Sequence, residues 1–170
     1  SGETSQTMMR DVIIALVPAL AASVWLFGPR ALIVNIVSVV SCVLFEYVTR
    51  KILKRRNTLS DLSAVVTGLL LALTLPATVP YWVAAVGSVF AIVVVKGLCG
   101  GLGKNVFNPA LGARAFLVLL WPVYMVRFMQ PGAVDAVAVA TPLHHMVMPA
   151  LPEQSITEMF LGNIGGCIGE

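Results

Sequence analysis

Few side chains in this sequence have the chemistry to act rather than pack. Thr141 stands in DAVAVATPLHHM, residues 135–146, and is the only aliphatic hydroxyl between Ser88 and Ser155. A turn would use Ser, Asn, Asp or Gly more freely, and a core strand would have no need of Pro142. Asp135 lies six residues ahead of Thr141 and reads as a solvated carboxylate unless the loop is recognised by another molecule. Arg114 falls inside NPALGARAFLVLLW, where a charge facing lipid would cost at least ~2.5–3.5 kcal/mol. It must therefore face protein, phosphate or water. A structural role, as salt bridge or carbonyl clamp, and a role in binding an anionic cofactor have equal claim on it. Glu46 and Asp61 sit near apolar-run ends and read as interfacial partners of the basic stretch 50–56. His144 and His145 point apart on any regular backbone and lack a third ligand, so no metal site is expected there. Cys42, Cys99 and Cys167 show no CxxC spacing and read as small packed residues.

The elements that position these residues belong in a membrane. Of 170 residues, 58% are hydrophobic and only 11% charged, with a mean hydropathy of +0.92. Soluble domains carry about 25% charged residues, so too little polar surface is available here to coat a globule. The net charge of +3 comes from basic residues beside apolar runs, which points to bilayer orientation rather than nucleic acid. The first run follows Arg10 and resembles a signal peptide, but the sequence after it is more membrane, so a retained helix is expected.

A hydrocarbon core about 30 Å thick needs about 20 apolar residues in helix. Runs of this kind predict an all-α polytopic protein with helices at 11–28, 31–49, 60–75, 79–97 and 106–126. Gly28-Pro29, LPATVP and GLCGGLGKN separate them, and Asn108-Pro109 marks a helix start where a broken helix is expected. The stretch RKILKRR (Arg50, Lys51, Lys54, Arg55, Arg56) and the pair Lys96 and Lys104 predict two cytoplasmic loops. Arg30 alone opposes this direction. The N-terminus is then cytoplasmic, the tip 76–79 faces outward, and Thr141 lies in an extracytoplasmic loop. The expected organisation is a helical bundle over 1–126, that loop over 127–160, and the start of another membrane segment over 161–170.

Four blocks, DLSAVVTGLLLALTLP (61–76), GGLGKNVFNPALGARAFL (100–117), DAVAVATPL (135–143) and LGNIGGCIGE (161–170), carry a resemblance in order and register. Together they resemble the D subunit of the Rnf-type ion-translocating oxidoreductase complex and, more distantly, the B subunit of the sodium-pumping NADH:quinone oxidoreductase. The resemblance covers nearly the whole chain and makes it similar to the front half of a longer subunit, one repeat of a larger helical protein. It implies a bacterial cytoplasmic-membrane subunit passing electrons between reduced ferredoxin and NAD, coupled to Na⁺ or H⁺ movement. Flavin- and iron–sulfur-bearing partner subunits and membrane lipid are the implied surroundings.

The family's Asp-x-x-Ser/Thr-Gly-Ala-Thr motif implies FMN joined through its phosphate to Thr141 by a separate flavin transferase, with Asp135 and Ala140 part of the motif. Ala138 and Val139 depart from it, and valine cannot adopt a glycine-type backbone angle cheaply. Pro142 steers Thr141 away from helical angles, which suits an exposed tether. Arg114 and the Asn108-Pro109 break are candidates for lining a second, noncovalent flavin or an ion site. Two other readings stay open: half of a solute or ion transporter with no redox role, and a scaffold subunit with a decayed motif.

Overall fold

A computed structural model of the chain describes residues 4–54, 61–97, 107–128, 157 and 164–169. Among them all regular structure is helical: α1 Ser5–Phe27, α2 Pro29–Ile52, α3 Ser63–Leu73, α4 Tyr81–Val89, α5 Pro109–Leu120 and the short α6 Pro122–Met125. The chain is an all-α polytopic membrane protein. At 1.5 Å per residue, α1 and α2, with 23 and 24 residues, each exceed the thickness of the hydrocarbon core.

Each helix end has a local cause. Thr4 caps α1 by accepting the Thr7 N–H, so this helix starts six residues before the predicted 11. Gly28, at φ 71°, closes α1 by donating its N–H to the Val24 carbonyl at 2.9 Å, and Pro29 opens α2 without a missing donor. α2 runs on to Ile52, because Arg50 and Lys51 form its last turn rather than a loop. Its buried residues, Ala31, Val34, Asn35, Ser38, Cys42 and Glu46, recur at helical spacing and make one inward stripe.

α3 is shorter than the predicted 60–75. Asp61 Oδ1 accepts the Ser63 N–H at 2.9 Å and fixes its start. At the other end, Thr74 turns its hydroxyl onto the Leu71 carbonyl, and Pro76 and Pro80 forbid continuation. Eleven residues rise only about 16 Å, roughly half a bilayer core. The chain then passes through an irregular elbow, residues 74–80, in which Leu75, Ala77 and Val79 are fully buried. Non-helical backbone at membrane depth is tolerated where protein surrounds it.

α4 fills the predicted 79–97 only in part, because from Phe90 to Lys96 the helix widens into π geometry. The predicted 106–126 divides in two. Asn108 accepts the Ala110 N–H at 2.9 Å and caps α5, with Pro109 in its first turn. Trp121, which precedes Pro122, is pushed to φ −133° and separates α5 from α6. Asn108-Pro109 is thus a capped helix start, and among the described residues a broken element lies at the end of α3.

The core joins Val34, Leu71, Leu75, Val79, Val83, Ala113 and Leu117. α2 and α3 touch through Gly68, where an added Cβ would stand 2.7 Å from the Val39 Cα. Ser38 sits in this seam, with the Gly68 carbonyl 3.0 Å and the Ser88 hydroxyl 3.0 Å from its Oγ. Phe90 stacks on Phe116 at 3.9 Å, and Trp82 packs edge-on against Trp121 and Tyr124.

Candidate functional site

The side chains able to act on charge gather at the two ends of the bundle. At the elbow, carbonyls that a continuous helix would have used are left to other donors. Arg114, one and a half turns into α5, gives Nη1 to the Thr74 carbonyl and to Cys167 Sγ at 3.4 Å. Arg30 reaches from the first turn of α2 to the Ala77 carbonyl at 2.9 Å and the Thr78 carbonyl at 3.0 Å. Its guanidinium also lies 5.8 Å from the centre of the Tyr81 ring. Ile168 and Gly169 donate their backbone N–H groups to Leu75 and Leu73 at 2.9 and 2.8 Å. The Thr78 hydroxyl donates to the Arg127 carbonyl.

Two arginines and a short extended segment therefore stand in for the missing turn. Arg114 clamps the Thr74 carbonyl. Only Nη1 is engaged among the described residues, so Nε and Nη2 remain as donors for an anionic group. Residues 164–169 are themselves non-helical: Cys167 pairs across an isolated bridge with Pro76, and Gly165 to Ile168 are buried. Cys42 and Cys167 are buried thiols; Cys167 does more than pack, because it accepts from Arg114.

At the other end lies a cluster that sequence reasoning missed. Lys96, 3% exposed, was expected beside a cytoplasmic loop. It is instead the last residue of the π segment and lies inside the protein. Its ammonium donates to Glu46 Oε1 at 2.8 Å, to Glu46 Oε2 at 2.7 Å and to Ser63 Oγ at 2.6 Å, so all three of its N–H groups are used. Ser63 in turn donates its hydroxyl hydrogen bond to Asp61 Oδ1. Arg50 stands 3.7 Å from Glu46, which upholds the expected pairing with the basic stretch. Yet Glu46 is 1% exposed and does not reach the interface. Asp61 serves Ser63 rather than an arginine among the described residues. Lys96 and Glu46 are fifty positions apart, and the only hint in the sequence was a single lysine closing an otherwise uncharged stretch that begins after Asp61.

Thr141, Asp135 and Ala140, with Ala138, Val139, His144 and His145, lie outside the described residues. Among the described residues no group of three His, Cys, Asp or Glu side chains is placed to hold a metal.

A family model described as NQR2, RnfD, RnfE matches residues 1–170. The chain is 46% identical over 170 residues to the D subunit of the Na⁺-translocating ferredoxin:NAD⁺ oxidoreductase complex of Acetobacterium woodii, covering 98% of this chain and 54% of that protein. It is 39% identical over 179 residues to the D subunit of the proton-translocating ferredoxin:NAD⁺ oxidoreductase complex of Clostridium ljungdahlii, covering 99% of this chain and again 54% of the relative. With the D subunit of the ion-translocating oxidoreductase complex of Escherichia coli O1:K1 it shares 39% identity over 147 residues, or 81% of this chain and 42% of the relative. The chain thus spans about half the length of these curated relatives.

Proposed function

The chain belongs to the NQR2, RnfD, RnfE family, and from that premise we propose that it is the front part of a membrane subunit in an ion-translocating electron-transfer complex of the ferredoxin:NAD type. The observation that carries this reading is the match along nearly all of the chain to subunits of that name, one of them 46% identical over 98% of it. The complex resides in the bacterial cytoplasmic membrane. Electrons pass between reduced ferredoxin and NAD, and their flow drives Na⁺ or H⁺ across the bilayer. The activity belongs to the assembly, whose flavin- and iron–sulfur-bearing subunits supply the other redox stations.

Thr141 is the attachment point for FMN, through a phosphoester to its hydroxyl, with Asp135 and Ala140 forming part of the motif read by a flavin transferase. In the sequence, small residues precede Thr141 and a proline follows it, and the residue before a proline disfavours helical backbone angles, which supports an accessible hydroxyl. The alternation of helix directions supports an extracytoplasmic place for it: Arg30 meets the 77–78 tip at one end of the bundle, Lys96 meets Glu46 at the other, and α5 runs back towards the tip end. The basic stretch 50–56 gives the Lys96 end to the cytoplasm. When bound, the flavin supplies the redox chemistry, and the protein supplies position and electrostatics. Arg114, with Nε and Nη2 uncommitted among the described residues, has donors for a phosphate or other anionic group, which suits a second, noncovalent flavin beside the elbow.

The test is in-gel flavin fluorescence of the denatured full-length subunit, made in cells that contain the transferase. Fluorescence is expected, and it disappears in Thr141→Ala. Fluorescence that persists unchanged in that variant rules out the tether. The discontinuous α3 also suits a solute transporter; absence of flavin from the native subunit, together with solute uptake by liposomes holding it, would favour that reading.

A further inference from the structure

The face of α2 opposite its buried stripe carries a second pattern. Ile33, Ile36, Val40, Leu44 and Tyr47 are all exposed, by 43–57%, at spacings of three and four that align them on one side of the helix. The same line continues into Lys51, and Lys54 follows just past the helix end, both exposed. Lys51 holds its ammonium 5.9 Å from the centre of the Tyr47 ring, as an interfacial cation on an aromatic belt would. Lys54, at φ 49°, turns the chain off the helix end. Arg50 is committed to Glu46. Among the described residues, by contrast, no carboxylate pairs with Lys51 or Lys54.

We propose that this face of α2 binds an anionic phospholipid, with an acyl chain along Ile36, Val40 and Leu44 and the headgroup phosphate at Lys51 and Lys54. Dimensions and charge argue for this occupant. Val40 to Lys51 spans about 16 Å of helix, and one leaflet of hydrocarbon is about 15 Å deep. A chain lying from mid-bilayer to interface therefore ends where the two ammonium groups begin. A neutral headgroup leaves both cations unmatched, whereas a phosphodiester without a balancing amine matches them. A partner helix covering the stripe would have to bring carboxylates to the same level.

The experiment uses the full-length subunit in its detergent-solubilised, delipidated complex. Thermal unfolding is followed while phosphatidylglycerol or phosphatidylcholine of identical acyl chains is added. Phosphatidylglycerol is expected to stabilise at about 30-fold lower concentration, from about five-fold per lysine. Lys51→Gln with Lys54→Gln brings the two lipids together, and the double Arg variant keeps them apart. Because both lysines are exposed, the Gln variant retains its lipid-free melting temperature, which separates lost binding from lost folding. Three results overturn the proposal: equal response of the unaltered complex to both lipids, an undiminished preference in the double Gln variant, or the same stabilisation by inorganic phosphate alone. Protection of Lys51 from amine-reactive label in the delipidated complex also overturns it, since protein would then cover the face.

Discussion

Lys96 and Glu46 show how much a single contact can carry. Each is nearly inaccessible, and each satisfies the other's charge in a region where water cannot. Removing one partner of such a pair costs about 3–5 kcal/mol, whereas replacing both with apolar groups of similar volume costs far less. Lys96→Met is therefore expected to lower the yield and melting temperature of the detergent-solubilised subunit sharply, and Lys96→Met combined with Glu46→Leu to recover much of the loss. A double-mutant cycle on melting temperatures checks this. Arg114→Leu frees the Thr74 carbonyl inside the bundle and should destabilise by about 1–3 kcal/mol, measured the same way. Arg114 was legible as an inward-facing residue because its charge interrupts an apolar helix. Its partner was not, because a backbone carbonyl leaves no trace in residue type. Lys96 misled for the opposite reason: a lysine at the edge of an apolar run looks like a boundary, and only the fold reveals a carboxylate waiting on α2.

At the level of elements, α2 and α3 depend on a contact that only glycine permits. Gly68→Ala places its methyl against the Val39 backbone at 2.7 Å, and backbone has no rotamer by which to retreat. A loss of about 1–3 kcal/mol follows from overpacking of this kind. Gly112→Ala meets only the Val95 side chain, at 3.2 Å, and should cost less; comparing the two melting temperatures isolates helix approach from helix propensity. Apolar length and the Gly28-Pro29 and Asn108-Pro109 punctuation were enough to place five helical regions in order. The brevity of α3 and the widening of α4 were not legible, because hydropathy is equally satisfied by a buried elbow and by a helix. Helix breakage at Trp121 could have been taken from Pro122, which restricts the residue before it.

For the whole molecule, the alternation of helix directions makes a topological prediction. A cysteine replacing exposed Lys54 in the full-length subunit should react with a membrane-impermeant maleimide only in inverted vesicles, and one replacing Thr78 only in intact cells. The reverse pattern would move the proposed flavin site to the cytoplasmic side. Much of this arrangement follows from basic residues in two sequence stretches, whereas the closure of the elbow does not. Ile168 and Gly169, which pair with Leu75 and Leu73, are encoded more than ninety positions downstream (168 − 75 = 93). During synthesis the hairpin of α3 and α4 must leave the ribosome long before those amides exist. Until they arrive, two peptide carbonyls at membrane depth need water or the insertion machinery for company. The third helix is therefore sealed only after α4 and α5, which follow it in the sequence, have already been made.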